Sequence, residues 1–323
     1  MSAPLSPRVV SERAALAPHA PQSAVVAASE IYDVRARTAF VTGAARGIGA
    51  ETARRLHGKG ANVALVGLEP ERLQALAAQL GERAIAIEAD VTDLEALSDA
   101  VAVTVERFGG IDVGIANAGI AYTGPLATAP VEQVERTLAV NFLGVWRTDR
   151  ALIAQIAEKR GYLLNIASLA AVSHAPLMGP YTAAKSGVEA LTDALRMETA
   201  LTGARVGCAY FGFIDTDLVR ASFKQPSAEA MTGRMPAFMR NPAPLSKAVD
   251  AIEHGVERRS SRVWAPRWIG AMLALRGVLQ PLTERQMLRE PSRLRAGIEA
   301  AQSSHETDAQ DPLLGVAMQA VER

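Results

Sequence analysis

The sequence predicts a doubly wound α/β fold, in which helices cover both faces of a seven-stranded parallel sheet. Three observations support this fold class. Short apolar runs alternate with longer helical patterns, a glycine-rich turn follows the first run, and polar residues stand where several runs end. Strands that alternate with helices build parallel sheets, and such sheets bind ligands at the carboxyl ends of their strands.

The predicted elements follow one another without a long gap. Seven apolar runs are predicted as strands, at 38–42, 62–66, 84–87, 113–116, 162–166, 206–210 and 262–265. Helical patterns lie between them: one ends near residue 58, and others cover 70–80, 93–108, 131–159 and about 179–201. Pro70 suits the first turn of its helix, where a missing N–H costs nothing. The pattern over 131–159 predicts one continuous helix.

The composition is that of a globular protein and excludes several function classes. The 323 residues are 49% hydrophobic and 21% charged, with a formal net charge of zero, so no basic surface for nucleic acid is expected. The single cysteine, Cys208, excludes an intramolecular disulfide and a zinc site built from several cysteines. The five histidines lack the HExxH spacing, and no metal site is predicted.

Neither a signal peptide nor a membrane-spanning segment is expected. The N-terminus lacks a basic start followed by an apolar core, and no run of about 18 apolar residues occurs. We therefore predict a cytoplasmic protein. Residues 1–36 are rich in Ala, Pro and Ser and are predicted to be a flexible or loosely docked extension.

The first strand is followed at once by a glycine-rich turn and a helix. The turn reads Gly43-Ala-Ala-Arg46-Gly47-Ile48-Gly49. Glycines let a backbone turn sharply beside a phosphate, and a helix N-terminus presents unpaired N–H groups. The G-x-x-x-G-x-G spacing differs from the usual dinucleotide fingerprint, so the turn alone is weak evidence for a nucleotide.

A tyrosine and a lysine lie four residues apart in the helical pattern over 179–201. Tyr181 and Lys185 would share one helix face, and a nearby cation lowers the pKa of a phenol toward the range in which it transfers protons. Ser168 follows the strand at 162–166 and could bind the same reacting oxygen. The alternative for this pair is a packed ring beside a solvated amine.

Several motifs together resemble the short-chain dehydrogenase/reductase family. The resemblance covers roughly residues 36–265 and rests on the turn that begins at Thr42, on Asp90-Val91, Asn117-Ala-Gly119, Asn141 and Ser168, and on Tyr181-x-x-x-Lys185. It implies a Rossmann-type domain over 37–265 that transfers hydride between a nicotinamide nucleotide and an alcohol or carbonyl. It also implies a homodimer or homotetramer that pairs through the helices bearing Asn141 and Tyr181.

The resemblance also implies a role for each matching residue. Tyr181 would be the acid/base, Ser168 would hold the substrate oxygen, and Lys185 would bind the nicotinamide ribose and lower the tyrosine pKa. Asn141 would hold a water of a proton relay. The remaining matches would contact the cofactor: Gly43, Arg46, Gly47, Ile48, Gly49, Asp90, Val91, Asn117, Gly119, Ile214 and Thr216.

Two positions bear on the cofactor and on the loop after strand six. The second strand ends at Gly67 rather than at an acidic residue, and Arg46 could pair with a 2′-phosphate, which favours NADP(H). NAD(H) remains open, because Glu69 could reach the ribose, although its expected role is to cap the helix at Pro70. Phe211 replaces the proline that many family members carry after strand six.

The segment 217–245 occupies the place of the family's substrate loop. Its apolar side chains are Leu218, Phe223, Met231, Met235, Phe238 and Met239. Flexible methionines and aromatic rings suit a large apolar ligand, so we predict a lipid-like, steroid-like or long-chain alcohol or ketone. The alternative is that these side chains only pack an amphipathic lid.

Residues 266–323 are predicted to form a basic helical extension that ends in a weakly ordered tail from about residue 296. Residues 258–295 hold nine arginines against Glu284 and Glu290, a net charge of 9 − 2 = +7, and Trp264 and Trp268 lie near their start. Packing on the core or on a partner subunit is favoured, and peripheral contact with an anionic membrane is the alternative.

A non-catalytic function also stays open for the whole chain. A nucleotide-binding regulatory or scaffold protein could keep this fold without turnover. Such a protein would have no need to keep Asn141, Ser168, Tyr181 and Lys185 together, and their joint presence favours an enzyme.

Overall fold

One parallel sheet organises the computed structural model, which describes residues 31–225, 227–232 and 235–310. Its strand order, β3-β2-β1-β4-β5-β6-β7, reverses direction between β1 and β4, where parallel sheets of this kind bind their ligands. The strands are β1 (Thr38–Thr42), β2 (Asn62–Gly67), β3 (Ala84–Glu88), β4 (Val113–Ala116), β5 (Tyr162–Ile166), β6 (Arg205–Phe211) and β7 (Arg262–Ala265). The predicted fold class is confirmed.

Helices cover both faces of the sheet. They are α1 (Gly47–Gly58), α2 (Pro70–Leu80), α3 (Leu94–Phe108), α4 (Val131–Leu138), α5 (Gly144–Glu158), α6 (Gly179–Glu198), α7 (Asp217–Lys224), α8 (Ser227–Thr232), α9 (Ala237–Arg240), α10 (Leu245–Arg258), α11 (Trp268–Leu288) and α12 (Pro291–Gln310). Helices α1, α2 and α10 pack on one face, and α3 and α5 pack on the other. Successive strand residues point to opposite faces, so Val41 joins the first core and Phe40 the second.

Local sequence signals set the ends of α3. The Asp93 carboxylate accepts hydrogen bonds from the backbone N–H groups of Glu95 and Ala96, which satisfies two donors that the first turn leaves unpaired. The helix stops at Gly109, which has a φ of 79° in the left-handed region that favours glycine.

The predicted continuous helix over 131–159 is interrupted. A π-helical segment, Ala139–Leu143, separates α4 from α5, and Gly144 donates its backbone N–H to the carbonyl of Ala139, five residues earlier. Such widened turns inside a helix frequently lie at functional sites. Here the widened turn contains Asn141, whose side chain is fully buried.

The ordered chain begins before the predicted boundary at residue 36. Tyr32 and Val34 are buried in the core beneath α1 and α10, and the Tyr32 N–H donates to the carbonyl of Glu257. The guanidinium of Arg37 lies 4.2 Å from the centre of the Tyr32 ring. The apolar side chains at 32 and 34 therefore extend the domain to residue 31, and the rest of the predicted extension, residues 1–30, lies outside the described residues.

The C-terminal extension contains two long helices. The tail predicted from residue 296 is helical up to Gln310, because α12 packs against α8 and buries Ala301. Residues 311–323 of that predicted tail lie outside the described residues. The substrate-loop segment is also helical, in α7, α8 and α9, although the side chain of Met231 is not among those described. No helix in the described parts of the chain combines the length and apolar character needed to cross a bilayer.

Candidate active site

The carboxyl ends of β1 and β4 meet beside the glycine-rich turn. The Asn117 amide nitrogen donates to the carbonyl oxygens of Thr42 and Gly43, at 3.0 and 3.3 Å. The Thr42 hydroxyl accepts the backbone N–H groups of Asn117 and Ala118, at 3.0 and 3.2 Å. These bonds fix the start of the turn to the end of the neighbouring strand.

Two glycines are required by the space inside this turn. Gly43 has a φ of 64°, and a side-chain carbon built on it would lie 2.8 Å from the Ala118 Cα. A side-chain carbon on Gly49 would lie 2.3 Å from the Gly43 carbonyl oxygen. Any larger residue at either position would push the turn off the sheet, so only glycine keeps the backbone this close to β4.

The N-terminus of α1 is open to an anion. No side chain caps it in the described structure, its first turn contains no acidic residue, and Ile48 packs partly against the core behind it. Thr216 approaches from the loop after β6, because a side-chain carbon built on Gly47 would lie 3.6 Å from its methyl group. Unpaired N–H groups at a helix start form a ready site for a phosphate.

Tyr181, Ser168 and Lys185 come together at the end of β5. Ser168 is hydrogen-bonded to the Tyr181 hydroxyl, and its own oxygen also accepts the backbone N–H of Ala170 at 3.1 Å. The Lys185 ammonium lies 5.8 Å from the centre of the Tyr181 ring and donates to the Ile166 carbonyl oxygen at 2.7 Å. Lys185 is buried, whereas Tyr181 keeps part of its surface exposed.

The lowered tyrosine pKa expected from the sequence is wrong for this structure. Burial raises the pKa of Tyr181 above its ordinary value, and the hydrogen bond with Ser168 opposes that rise only in part. Burial also lowers the pKa of Lys185 to about 8, because removal from water penalises the ammonium. Lys185 is bonded to the main chain of β5, and the neutral phenol is the stable form of Tyr181 here.

Asn141 closes the other side of this cluster. Its amide group bonds the backbone of Ile120 twice: the oxygen accepts the Ile120 N–H at 2.9 Å, and the nitrogen donates to the Ile120 carbonyl at 2.8 Å. A side-chain carbon built on Gly119 would lie 2.8 Å from the Asn141 oxygen and 3.8 Å from the Lys185 nitrogen. The structure therefore brings Gly119, Asn141 and Lys185 together around one small space.

Asp90 and Val91 follow β3, and three strands separate β3 from β5, the strand that ends before Ser168 and Tyr181. The Asp90 carboxylate accepts the backbone N–H of Thr92 at 2.8 Å, which shapes the turn into α3. Val91 is buried, and a side-chain carbon built on Gly144 would lie 2.8 Å from its Cγ2 atom. These two residues line the edge of the sheet on the side of the glycine-rich turn.

The loop after β6 carries the last two predicted cofactor residues. Ile214 is buried and forms a bridge with Ala243, and Thr216 caps α7 by accepting the backbone N–H of Val219. Phe211, the residue that replaces the expected proline, ends β6 with its side chain in the core. The buried ring therefore anchors the start of the loop in the core.

Glu69 does not have its predicted capping role. Its side chain makes no capping hydrogen bond to α2 and instead bridges two arginines. Arg46 lies 3.0 Å from one carboxylate oxygen, and Arg72 lies 3.2 Å from the other. Two guanidinium groups therefore share the carboxylate of Glu69, which follows the end of β2 at Gly67 by two residues.

Sequence reasoning missed a buried acid on the face of α6 that carries Tyr181 and Lys185. Tyr181, Lys185 and Glu189 are spaced four residues apart, a pattern that was visible in the sequence. Glu189 accepts the Tyr210 hydroxyl at 2.9 Å and the Arg276 guanidinium at 2.8 and 2.7 Å. These bonds join α6 to β6 and to α11 of the C-terminal extension.

Comparisons with known proteins agree with this geometry. The family model described as short chain dehydrogenase matches residues 37–227. A 2-(R)-hydroxypropyl-CoM dehydrogenase from Xanthobacter autotrophicus is 34% identical over 198 residues, which are 59% of this chain and 79% of that protein. A 3beta-hydroxysteroid dehydrogenase 1 from Eggerthella lenta is 31% identical over 210 residues, which are 63% of this chain and 80% of that protein.

A solved structure shares the fold. The alcohol dehydrogenase from the archaeon Thermococcus sibiricus, complexed with 5-hydroxy-NADP, superposes with a TM-score of 0.59 at 28% identity, covering 67% of this chain and 88% of its own. The family match covers more than half of the chain, and its strands carry the glycine turn and the Tyr181 cluster described above. The chain belongs to the short-chain dehydrogenase/reductase family and is an oxidoreductase of the kind that acts on alcohols and the matching carbonyls.

Proposed function

We propose that this oxidoreductase transfers hydride between a nicotinamide nucleotide and an apolar alcohol or ketone, with Tyr181 as the acid/base. One observation carries the proposal: Ser168, Tyr181 and Lys185 meet at the end of β5, beside the contact between Asn141 and Gly119. Only β4 lies between β5 and β1, the strand that leads into the glycine-rich turn. When bound, the nicotinamide supplies the hydride acceptor or donor.

The residues present fit such a cofactor. The open N-terminus of α1 and the backbone of the glycine-rich turn would hold the pyrophosphate. Asp90 and Val91 would contact the adenine, and Asn117 and Gly119 would close the end of β4 against the cofactor. Ile214 and Thr216 would contact the nicotinamide. Lys185 uses one of its three N–H donors on the Ile166 carbonyl, the partner found within the described chain, and could offer the others to the ribose.

The proton steps are assigned to this chain's own side chains. In reduction the neutral Tyr181 hydroxyl gives its proton to the carbonyl oxygen, and in oxidation the Tyr181 phenolate, formed by loss of that proton to solvent, takes the proton from the alcohol. Ser168 donates a hydrogen bond to the same oxygen and stabilises the charge that develops there. The raised pKa of Tyr181 suits the neutral acid that reduction requires. Asn141 positions the Ile120 backbone and would hold a water on the path to solvent.

NADP(H) is the favoured cofactor. The end of β2 presents Gly67 rather than a carboxylate, and the guanidinium groups of Arg46 and Arg72 are held on Glu69, two residues further along the chain. Glu69 already neutralises part of this charge, so a 2′-phosphate would have to share or displace it. The Thermococcus sibiricus relative was solved with an NADP derivative, which supports the same choice.

Arg46→Ala and Arg72→Ala test this cofactor preference. Each should raise the KM for NADP+ about tenfold while changing the KM for NAD+ by less than threefold, because a charged hydrogen bond contributes about 1.5–3 kcal/mol. Glu69→Gln, the matched variant, should lower the KM for NADP+. A wild-type enzyme whose kcat/KM is higher with NAD+ than with NADP+ would contradict the assignment.

An apolar substrate is supported by aromatic contacts around the loop that follows β6. Phe213 meets Phe223 of α7 edge to face at 4.9 Å between ring centres, and Phe238 of α9 meets Trp268 of α11 at 6.0 Å. Trp268 also lies beside this loop, because a side-chain carbon built on Gly212 would lie 3.3 Å from its ring. The relative from Eggerthella lenta is named for a hydroxysteroid, which supports a large apolar alcohol.

A panel of secondary alcohols and their ketones, of increasing apolar size up to hydroxysteroids, tests the substrate class. We expect kcat/KM to rise with apolar size, because each buried CH₂ contributes about 0.8 kcal/mol. Phe238→Ala should flatten that rise, and Leu201→Ala, at an exposed position away from the loop, should not. A preference for short polar alcohols would contradict the proposal.

We also expect the chain to form a homodimer or homotetramer. Val131 of α4, Leu143 of the π segment and Trp146 of α5 are exposed apolar residues on the helices through which the family pairs. Trp146→Glu should shift the protein toward the monomer in sedimentation velocity. An unchanged sedimentation coefficient would place the interface elsewhere or show that the protein is monomeric.

A further inference from the structure

Helix α11 has one fixed inner face. Ile269 and Leu273 are buried in the core, and Arg276 reaches the buried Glu189 on α6. One turn further on, the Gln280 side chain bonds the backbone of His174, accepting its N–H at 2.9 Å and donating to its carbonyl at 3.3 Å. These contacts, spaced three to four residues apart, set the rotation of the helix about its axis.

The opposite face of α11 is apolar and exposed. Leu275, Val278 and Leu282 repeat at helical spacing and keep 54%, 63% and 52% of their surface exposed. Ala271 and Ala274 continue the same face toward the N-terminus and are also exposed. The five side chains include no charge, so this face differs from an ordinary solvent-facing helix surface.

Trp264 extends this apolar face at its N-terminal end. It projects from the edge strand β7 and is 42% exposed. Its indole lies against α11, since a side-chain carbon built on Gly270 would lie 2.8 Å from the indole nitrogen. We call Trp264, Ala271, Ala274, Leu275, Val278 and Leu282 the α11 apolar face.

Positive charge concentrates around this face. Residues 258–295 carry a net charge of +7, whereas the whole chain is neutral, so the remaining residues sum to 0 − 7 = −7. Arg267, Arg285 and Arg289 lie at the two ends of α11 without a carboxylate partner among the described residues. Arg262 and Arg276 pair with Asp193 and Glu189 of α6, so the positive charge beside the α11 apolar face comes from Arg267, Arg285 and Arg289.

We propose that α11 docks on the surface of an anionic lipid bilayer. The α11 apolar face would enter the boundary between headgroups and acyl chains, with Trp264 at the level where tryptophan is enriched in membrane proteins. Arg285 and Arg289 would pair with anionic headgroups. The contact is peripheral, and it stands independently of the enzyme's substrate.

A second copy of the chain fits this face less well. Association of two copies about a two-fold axis would place the same patch of each subunit against the other. Arg267, Arg285 and Arg289 of both copies would then lie in one interface, and like charges across an interface are unfavourable. An anionic surface instead complements both the apolar residues and the arginines.

Vesicle co-sedimentation of the full chain tests the proposal without any substrate. We expect binding to vesicles of phosphatidylcholine mixed with phosphatidylglycerol, weaker binding to pure phosphatidylcholine, and a decrease with added salt. Arg285→Ser with Arg289→Ser should weaken binding to the mixed vesicles about thirtyfold, since each arginine near the surface contributes roughly 1 kcal/mol. The control pair Arg54→Ser with Arg150→Ser, exposed elsewhere, should change it less than twofold.

Charge placed in the apolar face should abolish docking. Val278→Glu with Leu282→Glu should reduce binding at least about tenfold, because two apolar side chains no longer enter the lipid. Leu201→Glu is the matched control, because Leu201 is 100% exposed and lies outside α11. Circular dichroism and thermal melting of each variant show whether it folds.

The wild-type protein provides a measurement that needs no variant. Brominated lipids in the mixed vesicles should quench its tryptophan fluorescence, because Trp264 would lie near the acyl chains. Absence of both quenching and co-sedimentation overturns the proposal, as does equal binding to neutral and anionic vesicles. If Val278→Glu changes the sedimentation coefficient of the free protein and leaves vesicle binding intact, the face is an interface between copies.

Discussion

Two helices of nearly equal length, α6 and α11, touch each other and use their side chains in opposite ways. Helix α6 has 20 residues and buries Ala184, Lys185, Val188, Glu189 and Thr192 on one face. Helix α11 has 21 residues, all of them described, and Ile269 and Leu273 are the only two that are buried. One helix takes charged groups into the interior, and the other leaves leucine and valine at the surface.

The difference shows what drives each arrangement. Lys185 and Glu189 can be buried because each has a partner, the Ile166 carbonyl for the first and Tyr210 with Arg276 for the second. The apolar residues of α11 stay exposed because the bonds of Arg276 and Gln280 turn the helix the other way. A buried charge and an exposed apolar face both depart from the general rule, and both indicate function.

The largest expected effect comes from the buried lysine of α6. Lys185→Met keeps the length of the side chain but removes the ammonium beside Tyr181, so kcat/KM should fall by about 100-fold or more. Stability should hold or rise, because burial already disfavours the charged form and lowers the Lys185 pKa to about 8. The measurement is steady-state kinetics together with thermal melting, with Lys247→Met at an exposed position as control. Activity within tenfold of the wild type would remove Lys185 from the proposed mechanism.

The two faces of α11 should differ by several kcal/mol. Ile269→Ala should lower the free energy of unfolding by about 2–4 kcal/mol, because it leaves a cavity in the core. Leu275→Ala, two turns along and on the exposed face, should change it by less than about 0.5 kcal/mol. Urea midpoints of the two variants measure the difference. Equal losses would mean that the exposed face is covered in solution.

A buried carboxyl behind α6 predicts a change of stability with pH. Burial raises the pKa of Asp149 to about 8, although Asn165 donates a hydrogen bond to it at 2.8 Å. An unfolded aspartate titrates near about 4, so the folded state binds this proton more tightly. The stabilisation is complete below pH about 4 and is lost as the pH rises through about 8.

Asp149→Asn should remove this pH dependence. The variant stays neutral, so its stability relative to the wild type should increase between pH 5 and pH 8 by roughly 4 kcal/mol, at about 1.4 kcal/mol per pH unit. Denaturant melts at both pH values measure this change, with the exposed Asp99→Asn as control. Parallel pH–stability curves for Asp149→Asn and the wild type would show that the buried carboxyl stays charged.

The smallest expected effect concerns the link between the two helices. Arg276→Met leaves Glu189 with the Tyr210 hydroxyl alone, and we expect a loss of about 1 kcal/mol because the guanidinium is half-exposed and screened by water. Hydrogen exchange should rise in α11 more than in α6. Arg285→Met on the same helix is the control and should leave exchange unchanged. A uniform rise across both helices would indicate global destabilisation instead of a local link.

Much of the fold could be predicted because its signals are local. The seven strands are short apolar runs bounded by turns. Polar residues that follow these runs, such as Asn117 and Ser168, can be recognised in the sequence. The π segment at Asn141 was not predictable, because one widened turn hardly changes a helical pattern. The Arg46–Glu69 pair was missed because the direction of a long side chain depends on neighbours far away in sequence.

The C-terminal extension shows the same limit more strongly. Its charge and tryptophans were evident in the sequence, but the choice between packing and exposure depended on Arg276, whose partner Glu189 lies 87 residues away. A helical pattern identifies an apolar face of a helix, but it does not identify what packs against that face. Packing on the core, one of the expectations from the sequence, holds for Ile269 and Leu273, whereas Leu275, Val278 and Leu282 are exposed in the single chain. Packing on a partner subunit stays a prediction.

Turnover by Tyr181→Phe tests the central assignment most directly. The variant removes one hydroxyl and keeps the ring, so NADP+ binding, followed by quenching of protein fluorescence, should stay within about threefold of the wild type. Reduction of NADP+ by an apolar secondary alcohol should fall by at least about 100-fold, because the proton no longer has an acceptor. A variant that retains both cofactor binding and turnover within tenfold of the wild type would contradict the assignment of Tyr181 as the acid/base.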